Sequence, residues 1–132
     1  MYIFTLVGDV KKVVEILRIR HGDFKLAMLY NSDLDAVTNW NLIISSDWTD
    51  NLGIPESIRI VARTLHENLS LENKSTISRI TVLKTNDPFV RDMTRLYFFP
   101  GGQGGIPLRQ VTAGGITDGA GFVFYSRPEI PA

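Results

Sequence analysis

The length, composition and charge of this chain exclude several classes of protein. It has 132 residues, 44% apolar and 21% charged, which is typical of one globular domain and unlike a disordered or fibrous chain. Fourteen basic residues balance fourteen acidic ones, so the chain lacks the broad positive field that non-specific nucleic-acid binding normally needs, which argues against such a partner but leaves room for a local basic patch. Cysteine is absent, which excludes disulfides, thiolate metal sites and a cysteine nucleophile.

Apolar residues occur in short runs, and none approaches the roughly 18 residues of a membrane span. We therefore expect no membrane segment. Residues 1–7 are apolar but about half the length of a secretory core region, without a preceding basic segment. These features favour a cytoplasmic location.

The first quarter of the chain predicts a strand, a helix and a second strand. Residues 2–7 are β-prone, and Gly8 then offers a break. Apolar residues at helical spacing predict an amphipathic helix over about residues 9–21, ended by Gly22. Residues 24–30 alternate like a strand.

Residues 39–84 predict one strand-helix-strand unit. The run at 40–46 pairs with the preceding strand as an antiparallel hairpin, and Ile43 makes both of its faces apolar, which favours cover on two sides. Pro55 opens a helix over about residues 55–69. The strand at 77–83 should then lie parallel to 40–46, because a crossover helix joins them.

The last third is rich in glycine: eight of the eleven glycines fall between Gly101 and Gly121. Before it, Pro88 opens a short helix over about residues 88–95. Residues 108–112 and 122–125 can pair as a hairpin. Ordering so much glycine costs entropy, so we predict that segment 100–132 is mobile or exchanged between subunits unless a partner holds it.

These elements predict a single α+β domain over residues 1–132. Its mixed sheet has about four to six strands, with two main helices and a short third one.

Asp33 and Asp35 form the first candidate site. Alternate residues of an extended segment point the same way, so both carboxylates can converge on Mg²⁺. The pair resembles that of small nucleotidyltransferases, in which a glycine-serine pair precedes an Asp-apolar-Asp step; here Gly22 stands at a comparable distance and Asp23 replaces the serine. The resemblance covers about fourteen residues and implies a metal-dependent nucleotidyl- or phosphotransferase. The alternative is a plain hairpin turn, which aspartate also favours.

Asp47, Trp48 and Asp50 form the second candidate site. They follow a buried strand and precede a helix, and ligands commonly bind at the carboxyl ends of such strands. We predict that these three residues contact a ligand. The alternative is structural, with Asp50 capping the helix and Trp48 covering its first turn.

A basic stripe on the middle helix is the third feature. Arg59, Arg63 and His66 recur at near-helical spacing and suit phosphate, although a solvated helix face is the more common outcome. The glycine runs lack the spacing of nucleotide-binding loops, and neither histidine has a serine partner in a recognisable motif.

The leading hypothesis is a small cytoplasmic, non-enzymatic binding domain with an unidentified protein or small-molecule partner. We expect it to be homo-oligomeric through its glycine-rich C-terminal region. No cofactor is expected; Mg²⁺ enters only under the transferase alternative with Asp33 and Asp35. A third hypothesis is a salt-sensitive nucleic-acid contact through Arg59 and Arg63.

Overall fold

A mixed β-sheet organises the part of the chain that the computed structural model describes, residues 3–32, 38–100, 106–108 and 119–128. Within those residues five strands are present: β1 (Leu26–Asn31), β2 (Trp40–Ser45), β3 (Ile77–Val82), β4 (Ile106–Leu108) and β5 (Ala120–Ser126). Their order across the sheet is β3-β2-β1-β5-β4. The β2–β3 pair is parallel and the other pairs are antiparallel. The predicted α+β class and mixed sheet are confirmed.

The described residues also form five helices: α1 (Ile3–His21), α2 (Asp47–Leu52), α3 (Ile54–Asn68), α4 (Leu71–Lys74) and α5 (Pro88–Leu96). The predicted helices at 55–69 and 88–95 correspond to α3 and α5. A proline stands in the first turn of each, where its missing N–H costs nothing.

The strand predicted at residues 2–7 is wrong over its described part, because α1 already begins at Ile3 and continues through Gly8. Leu6 lies one helical turn before Val10, and both side chains are buried. Burial of this extra turn outweighs the low helix propensity of Gly8, which costs only about 1 kcal/mol.

Side chains from the two faces of the sheet form two separate cores. In the first core, Leu42 and Ile44 of β2 pack with residues of α1 and α3. In the second core, Ile43 packs with Val90 and Met93 of α5. The prediction that β2 is covered on both faces is therefore confirmed.

The C-terminal part of the described chain supplies an interior strand. β5 lies between β1 and β4, and its residues Val123, Phe124 and Tyr125 are buried. The hydroxyl of Tyr125 donates a hydrogen bond to Glu15 of α1. Of the hairpin predicted between 108–112 and 122–125, the described part has Leu108 paired with Gly121. Residues 109–112 lie outside the described residues, and exchange of this region between subunits stays a prediction.

Candidate functional site

The segment predicted to bind a ligand at the end of β2 forms the short helix α2. Ser46 caps this helix: its hydroxyl accepts from the Thr49 backbone N–H at 3.1 Å, and the Thr49 hydroxyl accepts from the Ser46 backbone N–H at 3.1 Å. This reciprocal pair is a capping box, and both residues are buried. Ser46 therefore has the capping role that the structural alternative gave to Asp50.

Asp50 instead links α2 to the chain that follows β3. Its carboxylate accepts hydrogen bonds from the backbone N–H and the hydroxyl of Thr85. The hollow beside Asp50 and Lys84 has a volume of only about 40 Å³. That space suits one or two water molecules rather than an organic ligand.

Trp48 packs against the end of α1 and against Phe24 of the first core. Its indole stacks on the imidazole of His21, with 4.7 Å between ring centroids, and meets Phe24 edge-on at 5.8 Å. Its Nε1 is buried and has no hydrogen-bond partner among the described residues. Asp47 beside it is exposed. Ligand binding by Asp47, Trp48 and Asp50 stays a prediction, although Trp48 and Asp50 each have clear structural contacts.

Asp33 and Asp35, the predicted Mg²⁺ ligands, lie outside the described residues, so their site stays a prediction. Within the described part of the chain, no group of three or more histidine, aspartate or glutamate side chains is placed to hold a metal ion.

The basic stripe on α3 is partly neutralised. Arg59 contacts Glu56 one turn earlier, while Arg63 and His66 are exposed. A helix face with one paired and two solvated groups resembles an ordinary surface more than a phosphate site.

A hollow lies at the outer described strand of the sheet, and of the residues singled out in the sequence only His66 of the basic stripe lines it. A cleft of about 280 Å³ separates α3 from β3. Its walls are mainly apolar, and its charged or titratable members are His66, Lys74 and Arg79. The lining is Ala62, Leu65, His66, Leu69, Lys74, Ile77, Ser78, Arg79 and Ile80.

A second hollow lies on the other side of β3. It has a volume of about 240 Å³ and a polar lining that includes Tyr30, Asn39, Asn41 and Arg79. Arg79 thus borders both hollows. We call the first hollow the apolar cleft and the second the polar hollow.

A signal for this edge was present in the sequence. β1 and β2 are almost wholly buried, whereas β3 exposes Ser78 and Arg79 and leaves Thr81 half-buried. Polar residues interrupting a β-prone run are typical of an edge strand, because only an edge leaves them room to reach water.

Comparison with protein-family models, with curated proteins and with solved structures gave no match. No helix in the described ranges is long and apolar enough to cross a membrane.

Proposed function

We propose that this chain is a non-enzymatic binding domain that takes up an extended segment of a partner protein along the outer edge of β3. One observation carries the proposal: β3 is the outermost described strand on one side of the sheet, and the apolar cleft runs beside that edge. An added strand bonds through its main chain, and every second side chain can enter a hollow next to the edge.

The backbone of β3 supports this mode of binding. Thr76 accepts a hydrogen bond from Trp40, and Leu83 donates one to Ile44, so both ends of the β3 segment are bonded to β2. Strand residues direct their N–H and C=O groups alternately to the two sides, so Ile80 and Val82 direct theirs away from β2. No other described strand pairs with them.

The size and lining of the apolar cleft accommodate aliphatic side chains. The cleft encloses about 280 Å³, at the lower end of the roughly 300–1,000 Å³ that is usual for ligand pockets. Leu65 of α3 and Leu69 just after the helix form its buried wall, and Ile80 contributes from β3. An aliphatic side chain on an added strand would lose water there without leaving a polar group unpaired.

Blocking the cleft without disturbing the core tests the proposal. Ala62 lines the cleft and is exposed, so Ala62→Trp fills the space from the surface. The matched control is Arg63→Trp, which adds the same indole at the neighbouring exposed position outside the lining. The probe is a blocked seven-residue peptide in which valine alternates with glutamine, titrated into ¹⁵N-labelled protein.

We expect amide shifts centred on β3 and α3 in the wild type and in Arg63→Trp, and much smaller shifts in Ala62→Trp. Shifts of equal size in all three proteins, or shifts that avoid β3, would contradict the proposal.

The exposed end of α5 favours a second role, self-association. Leu96 is 56% exposed and Phe98 66% exposed, on either side of the half-buried Tyr97 and just before the glycine-rich region. Covering two such side chains with a second copy would remove apolar surface from water.

Sedimentation over a concentration series tests self-association. Phe98→Ser should shift the chain toward monomer, while Ile19→Ser should not, because Ile19 is 75% exposed but lies on α1. Truncation before the glycine-rich region is unsuitable, since it removes the interior strand β5. A wild type that stays monomeric throughout would end this part of the proposal.

A further inference from the structure

We infer that the partner segment alternates apolar and acidic residues. The carboxylates of this segment bind Arg79 at the polar hollow, and its apolar side chains occupy the apolar cleft. The inference rests on the proposed strand addition at β3 and names the chemistry that selects the partner.

Arg79 is a charged donor without a side-chain partner among the described residues. It is exposed, it borders the polar hollow, and it makes no ion pair or side-chain hydrogen bond with any described residue. By contrast, some other described arginines form ion pairs with carboxylates, as Arg95 does with Asp92 at 3.0 Å. Arg79 is therefore free to bind an external anion.

Asn41 places a second donor beside Arg79. The two residues are register partners across the β2–β3 pair. The hydroxyl of Thr81 donates to Asn41 Oδ1 at 2.9 Å, which fixes the amide and leaves its N–H groups as donors. A guanidinium next to an amide N–H is suited to a carboxylate, which accepts several charge-assisted hydrogen bonds at once.

The two hollows lie on opposite faces of the sheet. Asn41 stands between Trp40 and Leu42, which belong to the first core, so Asn41 and its partner Arg79 lie on the other face. Ile80 lies on the cleft side. Because successive side chains of an added strand point to opposite faces, apolar residues over the cleft alternate with residues that reach Arg79.

The charge of the two hollows favours an acidic partner over a second copy of this chain as the added strand. Among the described residues, the apolar cleft is lined by the cations Lys74 and Arg79, the polar hollow is lined by Arg79, and neither lining includes a carboxylate. Pairing of β3 with another β3 would bring two Arg79 side chains into one six-residue ladder, where like charges repel. The same charges attract a strand that carries glutamate or aspartate.

The test compares two blocked seven-residue peptides, valine alternating with glutamate and valine alternating with glutamine, against three proteins. These are the wild type, Arg79→Gln, and the control Arg20→Gln. Arg20 is exposed near the end of α1. Its neighbour His21 stacks on Trp48, which follows the carboxyl end of β2, whereas the polar hollow adjoins the start of β2. Arg20 therefore lies at the other end of β2 from the hollow.

We expect the wild type and Arg20→Gln to bind the glutamate peptide about tenfold more tightly than the glutamine peptide. Arg79→Gln should bind both peptides about equally, with the affinity that the wild type has for the glutamine peptide.

Failure of this inference can be distinguished from failure of the proposed function. Equal affinity of the wild type for the two peptides would overturn the acidic preference and leave strand addition standing. Loss of the preference in Arg20→Gln as well as Arg79→Gln would overturn the role of Arg79, since a general charge effect would explain it. If neither peptide binds the wild type, the proposed function fails and the inference fails with it.

Discussion

Asp50 accepts hydrogen bonds from both the backbone N–H and the hydroxyl of Thr85, and the hydroxyl lies 2.6 Å from Oδ2. The ammonium of Lys25 donates to the Thr85 carbonyl at 3.2 Å. Residues distant in sequence meet here because β2 and β3 are parallel neighbours, so the segments after their carboxyl ends lie side by side.

This contact predicts that Asp50 contributes to folding stability. Asp50→Ala should lower the free energy of unfolding by about 1 kcal/mol, the usual value of hydrogen bonds that remain partly in water. The control Asp47→Ala should change it by less than about 0.5 kcal/mol, because Asp47 is an exposed first-turn residue. Urea denaturation measures both values, and equal effects of the two substitutions would contradict the structural role.

Two glycines should respond oppositely to alanine. Gly8 lies inside α1, where an added Cβ meets nothing within 4 Å, so Gly8→Ala should stabilise the protein by about 1 kcal/mol. Gly119 has φ +111°, and an added Cβ would lie 2.6 Å from the Asn31 carbonyl oxygen. Gly119→Ala should therefore destabilise by about 2 kcal/mol or more.

Thermal unfolding of both variants checks this pair. A destabilising Gly8→Ala would mean that residues 3–8 are not helical.

Stability should fall at high pH through Tyr125. Burial, followed by the hydrogen bond to Glu15, raises the pKa of Tyr125 from 10.0 to about 12. The unfolded chain loses this proton at lower pH than the folded chain. The resulting stabilisation is complete below about pH 10 and disappears as the pH rises to about 12.

Tyr125→Phe removes this contribution. The difference in unfolding free energy between the wild type and Tyr125→Phe should therefore shrink between about pH 10 and about pH 12. Denaturation across that range measures it, and a constant difference would show that the phenol does not titrate as described.

Reversing the charge at the polar hollow should reverse the partner preference. Arg79→Glu should bind a peptide of alternating valine and lysine more tightly than one of alternating valine and glutamate, because the carboxylate now attracts ammonium groups. Competition binding gives the ratio directly. If Arg79→Glu still prefers the glutamate peptide, the acidic side chains are bound elsewhere.

Much of the fold could be predicted from sequence, because periodicity reports burial. The doubly apolar run around Ile43 indicated that β2 is covered on both faces, and the helix predicted at 55–69 corresponds to α3. The prediction failed at residues 2–7, where a short β-prone run and Gly8 outweighed the helical spacing of Leu6 and Val10. There, burial of Leu6 and Val10 in the first core outweighs the local β propensity.

The candidate site was harder to predict, because an edge is a property of the whole sheet. The sequence marks Arg79 as a polar interruption of a strand, but strand order decides whether β3 is interior or outer. Likewise the cleft depends on how α3 crosses β3, and no local pattern encodes that crossing. The Asp50–Thr85 contact was missed for the same reason, since it joins two connections through the parallel pairing of their strands.

Hydrogen exchange at the Ile80 and Val82 amides tests strand addition at β3 most directly. Both N–H groups point away from β2, so they should exchange faster than those of Thr81 and Leu83 in the free protein. Binding the peptide of alternating valine and glutamate should slow Ile80 and Val82 selectively. Unchanged exchange at these two amides in a protein that demonstrably binds the peptide would contradict the account.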